Sequence, residues 1–355
     1  MSGWLERMWY PEAQEGAPAR LLRSPLSLAA ATFGGVASVR RGLYRRGVLK
    51  TYRTRRAPVI SVGNLTVGGS GKTPCVMALA ERLLARGLRV AVLSRGYGRS
   101  VKEPRVLQDG APLASADEVG DEPLLIARRC PRATVLVGAD RVALSRVAED
   151  VHGAEVILLD DGMQHLRLGR DLEVVVIDAS VGLGNGRLLP RGPLREPPSS
   201  LTRADLFWLR GGRTPGLLLP ERPQVIARDV ASGLRSDGER TSVSQLAGAR
   251  VWAFAGIARP SRFTRTLEGL GATVVEATGF GDHHRYRPEE LEALVRRARA
   301  AQLQLVTTEK DAVRLPAGFP SWVLELSVAL EDGEGALEQA LSGLGVARAR
   351  LTGGL

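Results

Sequence analysis

The chain has 355 residues, 44% of them hydrophobic and 25% charged, a composition that excludes an intrinsically disordered chain and allows two domains. Its two cysteines, Cys75 and Cys130, match no metal-binding spacing, so a reduced cytosolic setting is expected. The formal net charge of +11 predicts an anionic partner, which is a nucleic acid, an anionic membrane or a phosphorylated substrate.

The first predicted element is an uncharged stretch from Ser24 to Val39, which arginines flank on both sides. As a helix it would be about 24 Å long at 1.5 Å per residue, too short for the roughly 30 Å hydrocarbon core of a bilayer. The chain then becomes strongly basic up to residue 56. We predict that residues 1–56 form a basic, partly apolar helical segment on an anionic membrane surface. A helix packed on the protein with solvated arginines is the alternative.

Short β-branched runs alternate with helical patterns after residue 56, and no internal repeat is visible. Before the Gly/Pro-rich stretch 211–223, the predicted strands are 57–64, 88–98, 133–140, 154–162, 172–180 and 204–210. After it, they are 249–257, 271–279 and 303–311. Because the runs before this stretch are apolar on both faces, we expect parallel strands of an α/β fold. The predicted boundaries are 57–212 for a first α/β domain and 213–355 for a second, smaller one.

The stretch NLTVGGSGKTP, residues 64–74, lies between the first of these strands and a predicted helix at 73–87. A glycine-rich turn between a strand and a helix exposes backbone N–H groups that surround a phosphate. The common pattern G-x-x-x-x-G-K-[ST] is met except at Thr66, which replaces the first glycine. A glycine-rich loop without a ligand is the alternative. The residues predicted to bind nucleotide are Thr66, Val67, Gly68, Gly69, Ser70, Gly71, Lys72 and Thr73.

A phosphate loop also needs charge from side chains. We predict that Lys72 reaches the β- and γ-phosphates and that Thr73 binds Mg²⁺. The run VILLDDGMQH, residues 156–165, supplies an apolar strand that ends in Asp160 and Asp161. Two adjacent carboxylates repel each other unless a cation or hydrogen-bond donors neutralise them. Both aspartates are therefore predicted metal ligands, and the sequence leaves open which of them contacts the ion.

Two further groups of ionisable residues stand out. Asp121 precedes an apolar helical pattern, where its spacing alone favours a helix cap. The run GFGDHHRY, residues 279–286, holds His283 and His284, two of the four histidines of the chain. A metal site at this pair lacks a third ligand at a suitable spacing, and a histidine that supports a carboxylate base is the alternative.

Seven stretches, in one order along most of the chain, resemble the tetraacyldisaccharide 4′-kinase family, the lipid A 4′-kinases of Gram-negative bacteria. They are SVGNLTVGGSGKTP (61–74), SRGYGR (94–99), GDEP (120–123), DDGMQH (160–165), GRLLPRGPLREP (186–197), DHHRY (282–286) and TTEKDAVRL (307–315). Thr66 in the phosphate loop is similar to the family's own variant. Seven matches together are far more specific than any single one.

The resemblance implies a P-loop NTPase-like three-layer α/β/α domain and a smaller α/β domain that closes over the nucleotide about a hinge. It implies transfer of the γ-phosphate of ATP, with Mg²⁺, to the 4′-hydroxyl of a tetraacylated glucosamine disaccharide 1-phosphate. The enzyme would act at the cytoplasmic face of the inner membrane as a peripheral protein, without nucleic acid or an obligate protein partner. Asp121 would be the catalytic base, assisted by His283 in preference to His284, with Lys72 also catalytic.

The matching stretches also contain residues that face a substrate or solvent. The candidate substrate contacts are Asn64, Arg95, Glu122, Gln164, His165 and Arg191. Arg95, Arg191 and two further loop arginines, Arg187 and Arg195, either hold acidic groups of substrate or nucleotide or are solvated.

Two other classes of protein remain to be weighed at this point. A nucleotide-binding switch for guanine nucleotides would carry N-K-x-D, whereas TTEKD at 307–311 has no asparagine and its lysine directly precedes the aspartate. A nucleic-acid-associated ATPase is favoured only by the net charge, and it predicts strongly salt-dependent binding of DNA or RNA.

Overall fold

The computed structural model describes residues 8–10, 23–111, 113–236 and 238–345. Residues 1–7 and 11–22 of the predicted amino-terminal segment lie outside the described residues. The strands are β1 (Val59–Gly63), β2 (Val90–Ser94), β3 (Arg105–Leu107), β4 (Thr134–Val137), β5 (Val156–Asp160), β6 (Leu172–Asp178), β7 (Leu206–Arg210), β8 (Gln224–Ser236), β9 (Glu239–Thr241), β10 (Arg250–Ala255), β11 (Thr273–Gly279), β12 (Gln304–Thr308) and β13 (Trp322–Asp332). The α-helices are α1 (Arg23–Arg45), α2 (Lys72–Ala85), α3 (Ala116–Val119), α4 (Asp121–Arg129), α5 (Arg141–Asp150), α6 (Pro260–Gly269), α7 (Pro288–Ala300), α8 (Glu309–Ala312) and α9 (Glu334–Ser342).

The strands join in a single sheet. Their order is β11-β10-β12-β13-β8-β7-β6-β1-β5-β2-β4-β3, and β9 pairs with β8. From β7 to β4 each neighbouring pair is parallel, as expected from runs that are apolar on both faces. The edge strand β3 is antiparallel to β4.

The first half has three layers. Along β1, Ile60 and Val62 point to one face of the sheet and Val59 to the other, because side chains alternate along a strand. The first face packs on apolar residues of α2 and α4, and the second packs on apolar residues of α5. The structure thus has the expected α/β/α arrangement around the strand that precedes the phosphate loop.

The second half repeats this layering on a smaller scale. Strands β11, β10, β12 and β13 are parallel, and β13 is antiparallel to β8. One face of β10 packs on Phe263 of α6, whereas Trp252 and Phe254 on its other face pack on Leu291 of α7. Because β8 also pairs with β7, the sheet is continuous across the two halves. A division into domains near residue 212, between β7 and β8, stays a prediction.

Several strands differ from those that the sequence predicts, most of them in the second half. The predicted strand 303–311 ends early, since residues 309–311 belong to α8, where the Thr308 hydroxyl accepts a hydrogen bond from the Asp311 backbone N–H at 3.1 Å. Strands β8 and β13 were absent from the prediction. Both are long and partly exposed, and charged residues interrupt their apolar pattern. The short strands β3 and β9 also escaped the pattern search.

Helix α1 extends beyond the uncharged stretch 24–39 and continues into the basic residues up to Arg45. Its inner face carries Ala30 and Gly34, and a Cβ at Gly34 would overlap the Leu188 side chain. The helix therefore packs closely on the loop that holds Leu188 and precedes the 3₁₀-helix Pro198–Arg203. Within the described ranges, no helix combines the length and the apolar character needed to cross a membrane.

Candidate active site

The predicted site residues converge at the carboxyl ends of the parallel strands. Gly63, Ser94, Asp160, Asp178 and Arg210 are the last residues of β1, β2, β5, β6 and β7. Parallel strands present these ends at one edge of a sheet, where α/β proteins bind ligands. The phosphate loop, the acidic pair and the loop after β2 therefore meet at one edge.

The phosphate loop connects β1 to α2 as predicted. Gly68 and Gly71 have left-handed φ angles of 97° and 86°, and the Ser70 N–H donates to the Gly68 carbonyl at 2.9 Å. A Cβ on Gly71 would overlap the side chain of Arg210, so only glycine fits there. Among the described residues, the buried Ser70 hydroxyl has no hydrogen-bond partner. The loop thus offers free donors at the amino end of a helix, which suits a phosphate.

Lys72 points back across the loop. Its Nζ lies 3.1 Å from Asn64 Oδ1 and 3.5 Å from Asp161 Oδ1. The side-chain amide of Asn64 donates to the Thr66 backbone carbonyl at 2.7 Å. The backbone carbonyl of Asn64 accepts from Gln164 Nε2 at 3.0 Å. Asn64 and Gln164 were predicted as substrate contacts, and the structure places both side chains in the support of the loop.

The two aspartates after β5 have different surroundings. Asp160 is buried, and its Oδ2 accepts from the Ser94 hydroxyl at 2.9 Å. Its other oxygen, Oδ1, has no partner among the described residues. Burial, together with the charges of Glu122 and Asp161, raises the pKa of Asp160 to about 7.

Asp161 is held by cations instead. Arg195 Nη1 donates to both carboxylate oxygens, at 2.9 and 2.7 Å. Burial would raise the pKa of Asp161, but Lys72 and Arg195 outweigh it and hold that pKa well below its usual range. Its φ of 50° is uncommon for a residue other than glycine and fixes the turn after the strand.

These surroundings fit a magnesium ion. Mg²⁺ takes one or two carboxylates, hydroxyl oxygens and substrate phosphates as ligands. The unpartnered Oδ1 of Asp160 and the adjacent Asp161 supply the carboxylates, and the loop places Thr73 in the same cavity wall as Lys72. Within the described ranges, no group of three or more His, Cys, Asp and Glu residues is arranged for a metal. Asp160 and Asp161 are the carboxylates that would hold such an ion.

A carboxylate–histidine pair joins the two halves of the protein. Asp121 is the first residue of α4, and Gly120, not Asp121, is the helix cap. The buried Oδ2 of Asp121 lies 2.8 Å from Nδ1 of His283. His283 has a left-handed φ of 60°, which turns the loop after β11. His284 lies elsewhere, with Nε2 2.9 Å from Glu290 Oε2 and its ring stacked on Phe280.

The charges around this pair favour an ionised Asp121. Burial raises the pKa of Asp121, but the hydrogen bond to His283 and the charges of Lys310 and Arg314 outweigh it and lower the pKa. The same hydrogen bond raises the pKa of His283. Asp121 is thus stabilised in its ionised form, the form that has a free position for a proton.

A cavity of about 240 Å³ lies between the phosphate loop and the second half. Lys72, Thr73 and Glu122 line it on one side, and Arg259 and Lys310 on the other. Apolar wall residues are Met77, Leu125, Ile257, Phe263, Leu324 and Leu326. A second cavity of about 560 Å³ is lined by Asp121 and His283, whose sequence neighbours Glu122 and Asp282 line the first cavity.

The remaining candidates fall into two groups. Arg195 binds Asp161 of the acidic pair. Arg95 is exposed and lies near Arg141. Burial and the charge of Arg95 both lower the pKa of Arg141. Burial and the arginines around His165 lower its pKa to about 4. In the part of the chain that the structure describes, no side-chain hydrogen bond or ion pair joins Arg187 or Arg191 to the site.

Two charged residues at the site escaped sequence reasoning. Lys310 belongs to TTEKD, which does not match a guanine-recognition sequence. Its Nζ lies 3.9 Å from Glu122 Oε1, and both residues line the cavity beside the phosphate loop. Arg210 packs against Gly71 and bonds to Asp178 and Asp229. The signal available for Arg210 was its position at the end of a parallel strand, next to a glycine loop.

The phosphate loop and an acidic strand end share one edge of the sheet, and the sequence neighbours of a buried carboxylate–histidine pair line the cavity beside the loop. These features together define a P-loop phosphotransferase. Residues 22–344 match the sequence model of the family described as tetraacyldisaccharide-1-P 4′-kinase. The chain belongs to that family and is a kinase.

Known proteins agree with this assignment. Tetraacyldisaccharide 4′-kinase of Anaeromyxobacter dehalogenans strain 2CP-C is 47% identical, over 96% of this chain and 95% of that protein. The same enzyme of Geobacter sulfurreducens is 46% identical, over 85% and 87%. A crystal structure of LpxK from Aquifex aeolicus in complex with ATP has a TM-score of 0.77 at 34% identity, over 91% of this chain and 99% of that one. These findings confirm the expected family and fold and favour the kinase over the switch and the nucleic-acid ATPase.

Proposed function

We propose that this kinase transfers the γ-phosphate of ATP to the 4′-hydroxyl of a tetraacylated glucosamine disaccharide 1-phosphate, in lipid A biosynthesis. Asp121 acts as the base, and the reaction takes place at the cytoplasmic face of the inner membrane. The observation that carries the proposal is the Asp121–His283 pair, 2.8 Å apart, whose sequence neighbours Glu122 and Asp282 line the phosphate-loop cavity. The relatives' names supply the acceptor.

The phosphate loop holds the triphosphate in this proposal. Backbone N–H groups of residues 68–73 and the Lys72 ammonium neutralise the β- and γ-phosphates, since phosphoryl transfer needs alignment and charge cancellation more than covalent chemistry. The bond between Asn64 and Lys72 keeps the ammonium over the loop before nucleotide arrives. Arg195 keeps Asp161 ionised.

Thr73, Asp160 and Asp161 would hold Mg²⁺. When bound, the ion would supply positive charge that offsets the negative charge of the phosphate groups. Support comes from the unpartnered Asp160 oxygen and from the raised pKa of that buried acid, which a cation would relieve.

Asp121 removes the proton of the acceptor. The 4′-oxygen attacks the γ-phosphorus, the bond from that phosphorus to the β–γ bridging oxygen breaks, ADP leaves, and the hydroxyl proton passes to Asp121. His283 Nδ1–H donates to Asp121 Oδ2 and holds the carboxylate in place. Of the predicted substrate contacts, Arg95 is exposed and Glu122 lines the cavity beside the phosphate loop.

Helix α1 is proposed to lie on the membrane. Leu28, Val36 and Val39 are 73%, 66% and 63% exposed on the face opposite to Ala30 and Gly34. Such a stripe next to arginines suits the headgroup layer, where the acyl chains of the substrate remain. Two arginines of the helix also contact the site region, since Arg40 donates to the Gln164 carbonyl at 3.2 Å and Arg41 to Glu196 at 2.9 Å. The helix would thus place the site at the depth of the sugar headgroup.

The test is phosphate transfer by the purified full chain. ATP labelled at the γ-phosphate is supplied with detergent-dispersed disaccharide 1-phosphate lipid, and the lipid fraction is counted. We expect label in the lipid with the natural chain and almost none with Lys72→Met. Folded protein that binds ATP but never labels the lipid would refute the proposed acceptor. ATP hydrolysis that responds to DNA or RNA, and not to lipid, would favour the ATPase instead.

A further inference from the structure

We propose that Lys310 is a positioning residue that keeps Nε2 of His283 free of a proton, so that the Asp121–His283 pair is ready to accept one. The inference rests on the proposed role of Asp121 as the base. It gives a role to a lysine that need not contact the reacting atoms.

Lys310 lies beside the ring of His283. Lys310 is the second residue of α8, and its Nζ lies 3.4 Å from His283 Nε2. The same Nζ lies 3.1 Å from Asp282 Oδ1 and 3.9 Å from Glu122 Oε1. A lysine ammonium has three donors and no acceptor. Nε2 is therefore the acceptor in this contact, and the single proton of a neutral imidazole lies on Nδ1.

Carboxylates lie on both sides of the His283 ring. His283 Nδ1 faces Asp121 at 2.8 Å, and Nε2 lies 3.7 Å from Asp282 Oδ2. An imidazole between two carboxylates is favoured in its doubly protonated, charged form. Such a ring would donate a positively charged N–H to Asp121 and weaken it as a base. Lys310 opposes this, because it pairs with Asp282 and places a like charge at Nε2.

The other groups around the pair support the same balance. Asp121 and Glu122 come from α4, Lys310 and Arg314 from α8 and the turn after it, and Asp282 from the loop of the histidine. The ring of Tyr97 lies 5.6 Å from the His283 ring. Without Lys310, three carboxylates would face one arginine, and a charged imidazole would be the nearest compensation. The bond to Asp121 raises the pKa of His283, and burial and the charge of Lys310 offset part of that rise.

The experiment titrates His283 in the full chain by NMR, with ¹⁵N-labelled histidine and His283→Gln to assign its signals. We compare the natural chain with Lys310→Met and with the charge-conserving Lys310→Arg. The Met variant should raise the pKa of His283 by about one unit, the low end for removal of a like charge at this distance. The Arg variant should titrate like the natural chain. Equal pKa values in the natural chain and in a folded Met variant would overturn the proposal.

Kinetics separate positioning from structure. In Lys310→Met, the acid limb of the kcat/KM profile should move to higher pH by the same amount as the titration. A lysine that only stabilises the fold would lower the rate equally at every pH and leave the limb in place. The titration needs no turnover, so it decides this inference separately. Transfer that survives Asp121→Asn would refute the proposed base whatever the titration shows.

Discussion

Asp121 and His283 are separated by 162 residues in sequence, yet Oδ2 of the first lies 2.8 Å from Nδ1 of the second. The acid begins α4 in the half that holds the phosphate loop, and the histidine belongs to the loop after β11 in the other half. The pair therefore exists only where the two halves meet. Any displacement of the loop after β11 from α4 would separate the proposed base from its partner.

Replacing Asp121, the proposed base, should stop transfer but not nucleotide binding. In Asp121→Ala the acceptor hydroxyl keeps its proton, and kcat should fall about 100-fold or more, as for loss of a general base. ATP affinity, measured by calorimetry, should stay within a factor of about two because the phosphate loop is intact. The matched control is Asp117→Asn, whose side chain is 66% exposed. A drop in ATP affinity as large as the drop in rate would show that Asp121 is not the base.

Removing the loop hydroxyl tests the magnesium site. In Thr73→Ala, the concentration of Mg²⁺ for half-maximal activity should rise about tenfold or more, the usual cost of an altered metal environment. Thr73→Ser keeps the hydroxyl and should behave like the natural chain. The measurement is initial rate against free Mg²⁺ at saturating ATP. An equal Mg²⁺ requirement in the three proteins would remove Thr73 from the ligands.

The exposed stripe of α1 predicts a membrane phenotype. Changing Leu28, Val36 and Val39 together to glutamate should weaken binding to anionic vesicles by about tenfold or more, because burying even one such side chain is worth about 1.5 kcal/mol. Turnover of detergent-dispersed lipid should change little. Leu113→Glu, at a position 97% exposed in a loop, is the control for added charge. Unchanged sedimentation with vesicles would rule out the helix as the membrane contact.

His165 predicts how stability depends on pH. Its pKa is about 4 in the folded chain against an ordinary 6.5, because of burial and the arginines around it. Between these two values the unfolded chain binds a proton that the folded chain does not, so the free energy of unfolding should fall as the pH falls from about 6.5 to about 4. In His165→Gln this part of the pH dependence should disappear. Urea midpoints at several pH values provide the measurement, and parallel curves for the two proteins would contradict it.

Local patterns in the sequence were enough for the phosphate-binding half. The strand, the glycine turn and the helix that hold Lys72 are consecutive, so their geometry follows from neighbouring residues: an apolar run, glycines with left-handed φ angles and a helical repeat. The same holds for β5, whose apolar run ends at Asp160. By contrast, β8 and β13 carry a mixed pattern, and their pairing with each other stabilises them as strands.

The sequence by itself therefore determined the fold class, the phosphate loop and the family, since these depend on contiguous motifs. Only the tertiary structure decided which histidine contacts Asp121, which of Asp160 and Asp161 keeps a free oxygen, and that Lys310 faces the pair. The physical reason is that a hydrogen bond or an ion pair depends on distance in space. Residues far apart in the chain come within reach only after the sheet has brought its strand ends together.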